Sequence, residues 1–188
     1  MLISRLHIGV NTLILLRATI FKQKEQINEY NMKQRILFVC LGNICRSPAA
    51  EGILRDLVIR RGLTEQIEID SAGTYAGHTG ELADPRMRRA ASARGIELTH
   101  RARQIRQADF ERFDRIIVMD DYNYEDVHRL APSRELAMKI YRMREFFSSS
   151  RYSYVPDPYY EGREGFEIVL DLLEEGCRTL LDELTESK

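Results

Sequence analysis

A chain of 188 residues, 44% hydrophobic and 30% charged, has the size and composition of one soluble globular domain with some residues to spare. Its 28 basic and 29 acidic residues leave a net charge of -1, which speaks against nucleic acid or an anionic membrane as partner. Three irregularly spaced cysteines, Cys40, Cys45 and Cys177, exclude a disulfide scaffold and point to a reducing, cytoplasmic setting in which a thiol is kept for chemistry.

The N-terminal stretch Met1–Phe21 is the most apolar, but Arg5, His7, Asn11 and Arg17 interrupt it, so it falls short of a membrane helix. No small-residue cleavage site follows Ile20, and a polar segment from Lys22 to Asn31 leads to Met32. Residues 1–31 therefore read as an N-terminal extension or a non-native start, and residues 32–188 as the domain proper.

From Met32 onward, short β-branched runs alternate with helical patterns, which predicts a parallel α/β sheet. Arg35–Val39 reads as a strand buried on both faces. A helix should follow, with Ser47 as its cap, Pro48 in its first turn, a stripe of Ala50, Ile53, Leu54, Leu57 and Val58, and a stop at Gly62. Glu68–Ser71 reads as the second strand, Asp84-Pro85 as cap and first turn of a helix ending near Gly95, Arg115–Met119 as the third strand and Met138–Tyr141 as the fourth. The last helix carries Phe166, Val169, Leu170, Leu173, Cys177, Leu180, Leu181 and Leu184 at helical spacing, which places Cys177 in the core. The expected fold is a single four-stranded parallel sheet with helices on both faces.

The chemistry concentrates between Cys40 and Ser47, in the order Cys40-Leu41-Gly42-Asn43-Ile44-Cys45-Arg46-Ser47. A loop between a strand and a helix N-terminus presents free backbone N–H groups and the positive end of the helix dipole to an anion. Gly42 and Asn43 tolerate the left-handed backbone of a tight cradle. Wrapped around a phosphate, the loop brings Cys40 and Arg46 to the same ligand, Arg46 in a bidentate fork. Amide dipoles, a helix N-terminus and a guanidinium all favour the nucleophilic thiolate of Cys40, and Ser47 can donate a hydrogen bond to its sulfur.

This segment, extended to Pro48, resembles the signature of the low-molecular-weight protein tyrosine phosphatases. Asp70-Ser71-Ala72-Gly73-Thr74, His100-Arg101-Ala102-Arg103-Gln104, Phe113-Asp114, Met119-Asp120 and Asp157-Pro158-Tyr159-Tyr160 resemble further family blocks in family order, over about residues 33–184. The resemblance implies that family's fold and hydrolysis of phosphotyrosine through a phosphocysteine on Cys40, with no cofactor and no metal. It also implies that Asp157, in a loop stiffened by Pro156 and Pro158, is the acid for the leaving phenol and later the base for water. Phosphate and substrate would be bound by Leu41, Gly42, Asn43, Ile44, Cys45, Ser47, Tyr159 and Tyr160, the two tyrosines with Leu41 and Ile44 forming apolar walls. Asp120 resembles the position that holds the catalytic arginine, and Ser71 and His100 resemble positions that orient Asn43. Cys45 resembles the neighbour that protects the nucleophile by reversible disulfide formation. Where the family usually carries an aromatic at the mouth, this chain has Gly77, with Tyr75 as the nearest replacement. Expected partners are a phosphotyrosine protein, bacterial relatives suggesting a tyrosine autokinase, and at most a weak dimer of this chain.

Three rivals share parts of this pattern. An arsenate reductase would need further relay cysteines, yet none lies between Cys45 and Cys177. A protein-arginine phosphatase would favour threonine where Ile44 stands. A non-catalytic phosphate-binding module would keep the loop without turnover.

Overall fold

The computed structural model describes residues 33–148 and 151–186; the extension read at residues 1–31 lies outside the described residues. β1 (Gln34–Cys40) is followed by α1 (Arg46–Arg60), β2 (Ile67–Gly73), α2 (Pro85–Ala93) and α3 (Gln107–Arg112). Then come β3 (Arg115–Val118), α4 (Asp121–Leu130), α5 (Arg134–Ala137), β4 (Ile140–Arg142), a 3₁₀ turn at Met143–Phe146 and α6 (Arg163–Glu186). The four strands form one sheet in the order β2-β1-β3-β4, every neighbouring pair parallel.

Alternation along β1 sends Ile36 and Phe38 to one face and Leu37 and Val39 to the other, all fully buried. Ile36 and Phe38 pack with Ile53 and Leu54 of α1, Met87 of α2 and the Phe166–Leu184 stripe of α6. Leu37 and Val39 pack with Phe110 of α3, Val127 of α4 and Ala137 of α5. The chain leaves β1 for β2 on one side and reaches β3 on the other, so the loop after β1 opens at a topological switch point. Ligands of open α/β sheets bind in that crevice.

The expected strands and the expected helices all form, with two corrections. The fourth strand is Ile140–Arg142 rather than Met138–Tyr141: Met138 ends α5, which Ser133 caps, and is left 77% exposed. Ser47 does not cap α1: the cap position is Cys45, with no side-chain cap, because the serine hydroxyl turns inward instead. Asp84 does cap α2, accepting from the Arg86 backbone N–H at 2.7 Å, with Pro85 in the first turn. Among the described residues, no helix is long and apolar enough to cross a membrane.

The Arg86 guanidinium, with that backbone bond, holds the Asp84 carboxyl below the usual carboxylate range. A depressed folded pKa stabilises fully above the unfolded value, and that stability is lost as pH falls through the folded one. Asp84→Ala should therefore lower unfolding stability by about 1 kcal/mol at neutral pH, as for a lost N-cap. The gap from the parent should close in strong acid, which urea midpoints across pH will check.

Candidate active site

Five residues separate the buried end of β1 at Cys40 from the start of α1 at Arg46. The turn is closed by Asn43 in the left-handed region, at φ 55°, which asparagine tolerates better than most residues. Thr74 and Tyr75 donate backbone N–H bonds to the carbonyls of Cys40 and Leu41, each at 2.9 Å, so the end of β2 braces the loop. Only glycine permits this approach: a Cβ on Gly73 would lie 2.6 Å from the Leu41 carbonyl oxygen.

Beneath the loop runs a buried polar network. Asn43 Nδ2 donates to Ser47 Oγ and Ser71 Oγ, both at 2.9 Å, and Asn43 Oδ1 accepts from the Arg103 backbone N–H at 2.9 Å. His100 Nε2 lies 3.1 Å from the same Oδ1, and His100 Nδ1 lies 3.1 Å from Glu51 Oε2. Ser71 donates to that carboxylate at 2.6 Å. Ser47 Oγ, 3.1 Å from Cys40 Sγ, can give its single proton to the sulfur or to the Ala72 carbonyl at 3.2 Å.

Arg46, its side chain 3% exposed, spans the other side. Nη1 donates to Asp120 Oδ2 at 2.5 Å and to the Val155 carbonyl at 3.2 Å, while Nη2 donates to Asp157 Oδ2 at 2.7 Å. Burial alone would lower its pKa, but the negative charge of Cys40, Asp157 and Asp120 outweighs that and holds it above its ordinary value. Asp120 caps α4 through its second oxygen, accepting from the Asn123 N–H at 2.7 Å, so it is fixed at both ends. Asp157 is 40% exposed and faces a slot of about 240 Å³. A nucleophile, an anion clamp and a carboxyl group open to substrate thus meet in one cavity, the parts that acyl or phosphoryl transfer through sulfur requires.

The model of the low molecular weight phosphotyrosine protein phosphatases matches residues 35–188. The chain belongs to that family. A low molecular weight protein-tyrosine-phosphatase of Streptomyces coelicolor is 41% identical over 157 residues, covering 82% of this chain and 96% of that one. A solved protein tyrosine phosphatase from Entamoeba histolytica superposes with a TM-score of 0.79 at 41% identity, over 82% of this chain and 99% of that one. A Drosophila arginine phosphatase superposes with a TM-score of 0.76 at 30% identity, over 81% of this chain and 99% of that one.

Within this phosphatase-family frame, Cys40, Leu41, Gly42, Ile44, Cys45, Arg46, Asp157, Tyr159 and Tyr160 line the slot. Asn43, Ser47, Ser71, His100 and Asp120 are not among the residues that line it. The two tyrosines do not share the wall equally: Tyr159 is 38% exposed, whereas Tyr160 is 93% exposed and meets Tyr159 edge-on. The wall opposite is Tyr75 with His78, packed edge to face at 6.2 Å. A Cβ on Gly77 would lie 2.1 Å from the Tyr75 ring, so the tyrosine fills the volume that a side chain at position 77 would take.

Three contributors had no clear sequence signal. His78 closes the slot over Gly42, where an added Cβ would meet its ring at 3.1 Å. Glu51, 2% exposed, sits on α1 where a glutamate reads as solvated. The Val155 carbonyl is a backbone group that no residue type marks. Among the described residues, the one set of donors near enough to share a cation is Glu51, Asp70 and His100, within 4.8 Å of one another. Their oxygens are already engaged: Glu51 by Arg55, Ser71 and His100, and Asp70 by Arg103.

Burial, then the charges of Asp84, Cys40 and Asp157, push the Cys45 thiol far up. Burial does the same to Cys177, which donates to the Ala50 carbonyl in the core.

Proposed function

We propose that the chain hydrolyses phosphotyrosine in proteins through a phosphocysteine on Cys40, with Arg46 as anion clamp and Asp157 as general acid and base. One observation carries this reading: Arg46 holds Asp157 at 2.7 Å on the rim of the cavity that contains Cys40. The phosphate dianion seats on the N–H groups of the loop and takes the Arg46 fork. Its negative charge displaces the Asp157 carboxylate, which then accepts a proton. Sγ attacks phosphorus in line while Asp157 protonates the departing phenol oxygen. Asp157 next takes a proton from water as that water attacks phosphorus, and the thiolate leaves with a hydrogen bond from Ser47.

The walls favour a long aromatic ester. Leu41, Ile44, Tyr75, His78 and Tyr159 line the slot with Cys40, apolar and aromatic walls that suit a phenyl ring better than the short side chain of phosphoserine. The arginine phosphatase likeness leaves phosphoarginine as the second reading, against which Ile44, 8% exposed in that slot, removes the room a guanidinium needs. The test is turnover of phosphotyrosyl, phosphoseryl and phosphoarginyl peptides by the reduced full chain without added metal. The phosphotyrosyl peptide should be hydrolysed fastest; a faster phosphoarginyl peptide, or none hydrolysed, would contradict the reading.

Three free, buried cysteines suit a reducing compartment. Cys45 lines the same cavity as Cys40, so a sulfenate on Cys40 would meet a thiol rather than a second oxidant molecule. Peroxide should inactivate the parent reversibly, a thiol restoring activity, and Cys45→Ser should recover to a clearly smaller extent. Equal recovery would contradict a protective disulfide.

A further inference from the structure

Beside the catalytic slot lies a second hollow of about 500 Å³, bordered by Arg86 and Arg89 of α2 and by Glu161, Arg163, Phe166 and Glu167. Its charges are not balanced. Arg86 is held by Asp84 at 2.8 Å, and Glu167 pairs at 2.7 Å with Arg94, which it shares with Asp171 and Glu174. Arg89 and Arg163 form no ion pair among the described residues, which leaves two exposed guanidinium groups against Glu161. Phe166, 2% exposed, lines the hollow with Ala90 and Ala93, so its surface is largely apolar, and the unpaired charges that border it are mainly cationic.

The hollow adjoins the slot through one side chain. The Arg86 guanidinium lies 5.4 Å from the Tyr159 ring centroid and 4.9 Å from that of Phe166. Tyr159 is a wall of the slot, and Phe166 is the floor of the hollow. The run from Asp157 to Arg163 likewise begins in the first cavity and ends in the second. A polypeptide whose phosphotyrosine enters the slot and whose flank crosses Tyr159 and Arg86 then comes down between Arg89 and Arg163.

We propose that this hollow is a substrate subsite for an acidic side chain near the phosphotyrosine in sequence, an inference that rests on the phosphotyrosine reading above. Carboxylates match its charge, and the planar guanidinium of arginine binds them in a two-pronged fork. The contribution is one of steering and selectivity at the rim, so it should be sensitive to salt.

The test is kcat/KM of the full chain on phosphotyrosyl peptides in which one glutamate or one lysine is walked through the flanking positions. At one or more positions glutamate should exceed lysine by about fivefold, the size of an exposed ion pair. The preference should fall as salt is raised, and in Arg89→Glu/Arg163→Glu it should vanish or invert while p-nitrophenyl phosphate turnover is unchanged. Both positions are exposed, so the variant should fold, and equal p-nitrophenyl phosphate turnover verifies it. Equal rates at every position, or a glutamate preference that survives the double variant, would overturn the subsite. Failure of the parent to turn over p-nitrophenyl phosphate at all would instead bring down the phosphatase reading and the subsite with it.

Discussion

Cys40→Ser is expected to reduce p-nitrophenyl phosphate turnover by about 10⁵-fold or more, a loss on the scale of removing a covalent nucleophile. That corresponds to about 7 kcal/mol of barrier. The serine would keep the contact with Ser47, 3.1 Å from the present sulfur, and leave the loop and Arg46 in place. Inorganic phosphate should therefore still bind. What disappears is a nucleophile that also departs well: a serine hydroxyl is not ionised in this loop, and an oxygen ester would be hard to hydrolyse. Residual turnover near the parent's would mean that water, activated by Asp157, attacks phosphorus directly.

Asp157→Asn should separate two roles that share one carboxylate. As proton donor, its loss should lower kcat by about 10²- to 10³-fold for a substrate with a basic phenolate. The loss should be clearly smaller for p-nitrophenyl phosphate, whose leaving group needs less help. As the resting partner of Arg46 at 2.7 Å, it competes with the incoming anion, so asparagine should tighten inorganic phosphate binding by a few fold. Leaving-group series and phosphate inhibition constants read the two effects independently. An equal loss for both leaving groups would mean that Asp157 positions Arg46 and delivers no proton.

The reactive loop was legible in the sequence because its physics is local. A buried strand, a glycine, an asparagine able to turn left-handed and a helix start leave little else for residues 40–46 to be. Asp157 was different: an aspartate between prolines is an ordinary turn residue, and only the family resemblance of Asp157-Pro158-Tyr159-Tyr160 marked it. Ser47 shows how a local rule fails. Its position before Pro48 suits a cap, but three polar partners converge on its hydroxyl from Cys40, Asn43 and Ala72, and tertiary bonding prevails.

Glu51 and α4 were illegible for opposite reasons. A glutamate on a helix is solvated by default, and the environment that buries it comes from residues 20 and 49 positions away, Ser71 and His100. In α4 only Asn123 and Val127 are buried, so no apolar period announces a helix whose register is set by the Asp120 cap. The Gly77 departure became readable once the fold placed Tyr75, since the ring occupies the space that the missing side chain vacates.

The most direct test of covalent transfer to Cys40 is to mix the reduced full chain with a phosphotyrosyl peptide carrying labelled phosphate, quench in alkali during turnover, and map the label after digestion. Label is expected on the peptide that contains Cys40, released by iodine as for a phosphorus–sulfur bond and absent from Cys40→Ser. Labelled phosphate released with none on the protein, or label on another residue, would contradict it.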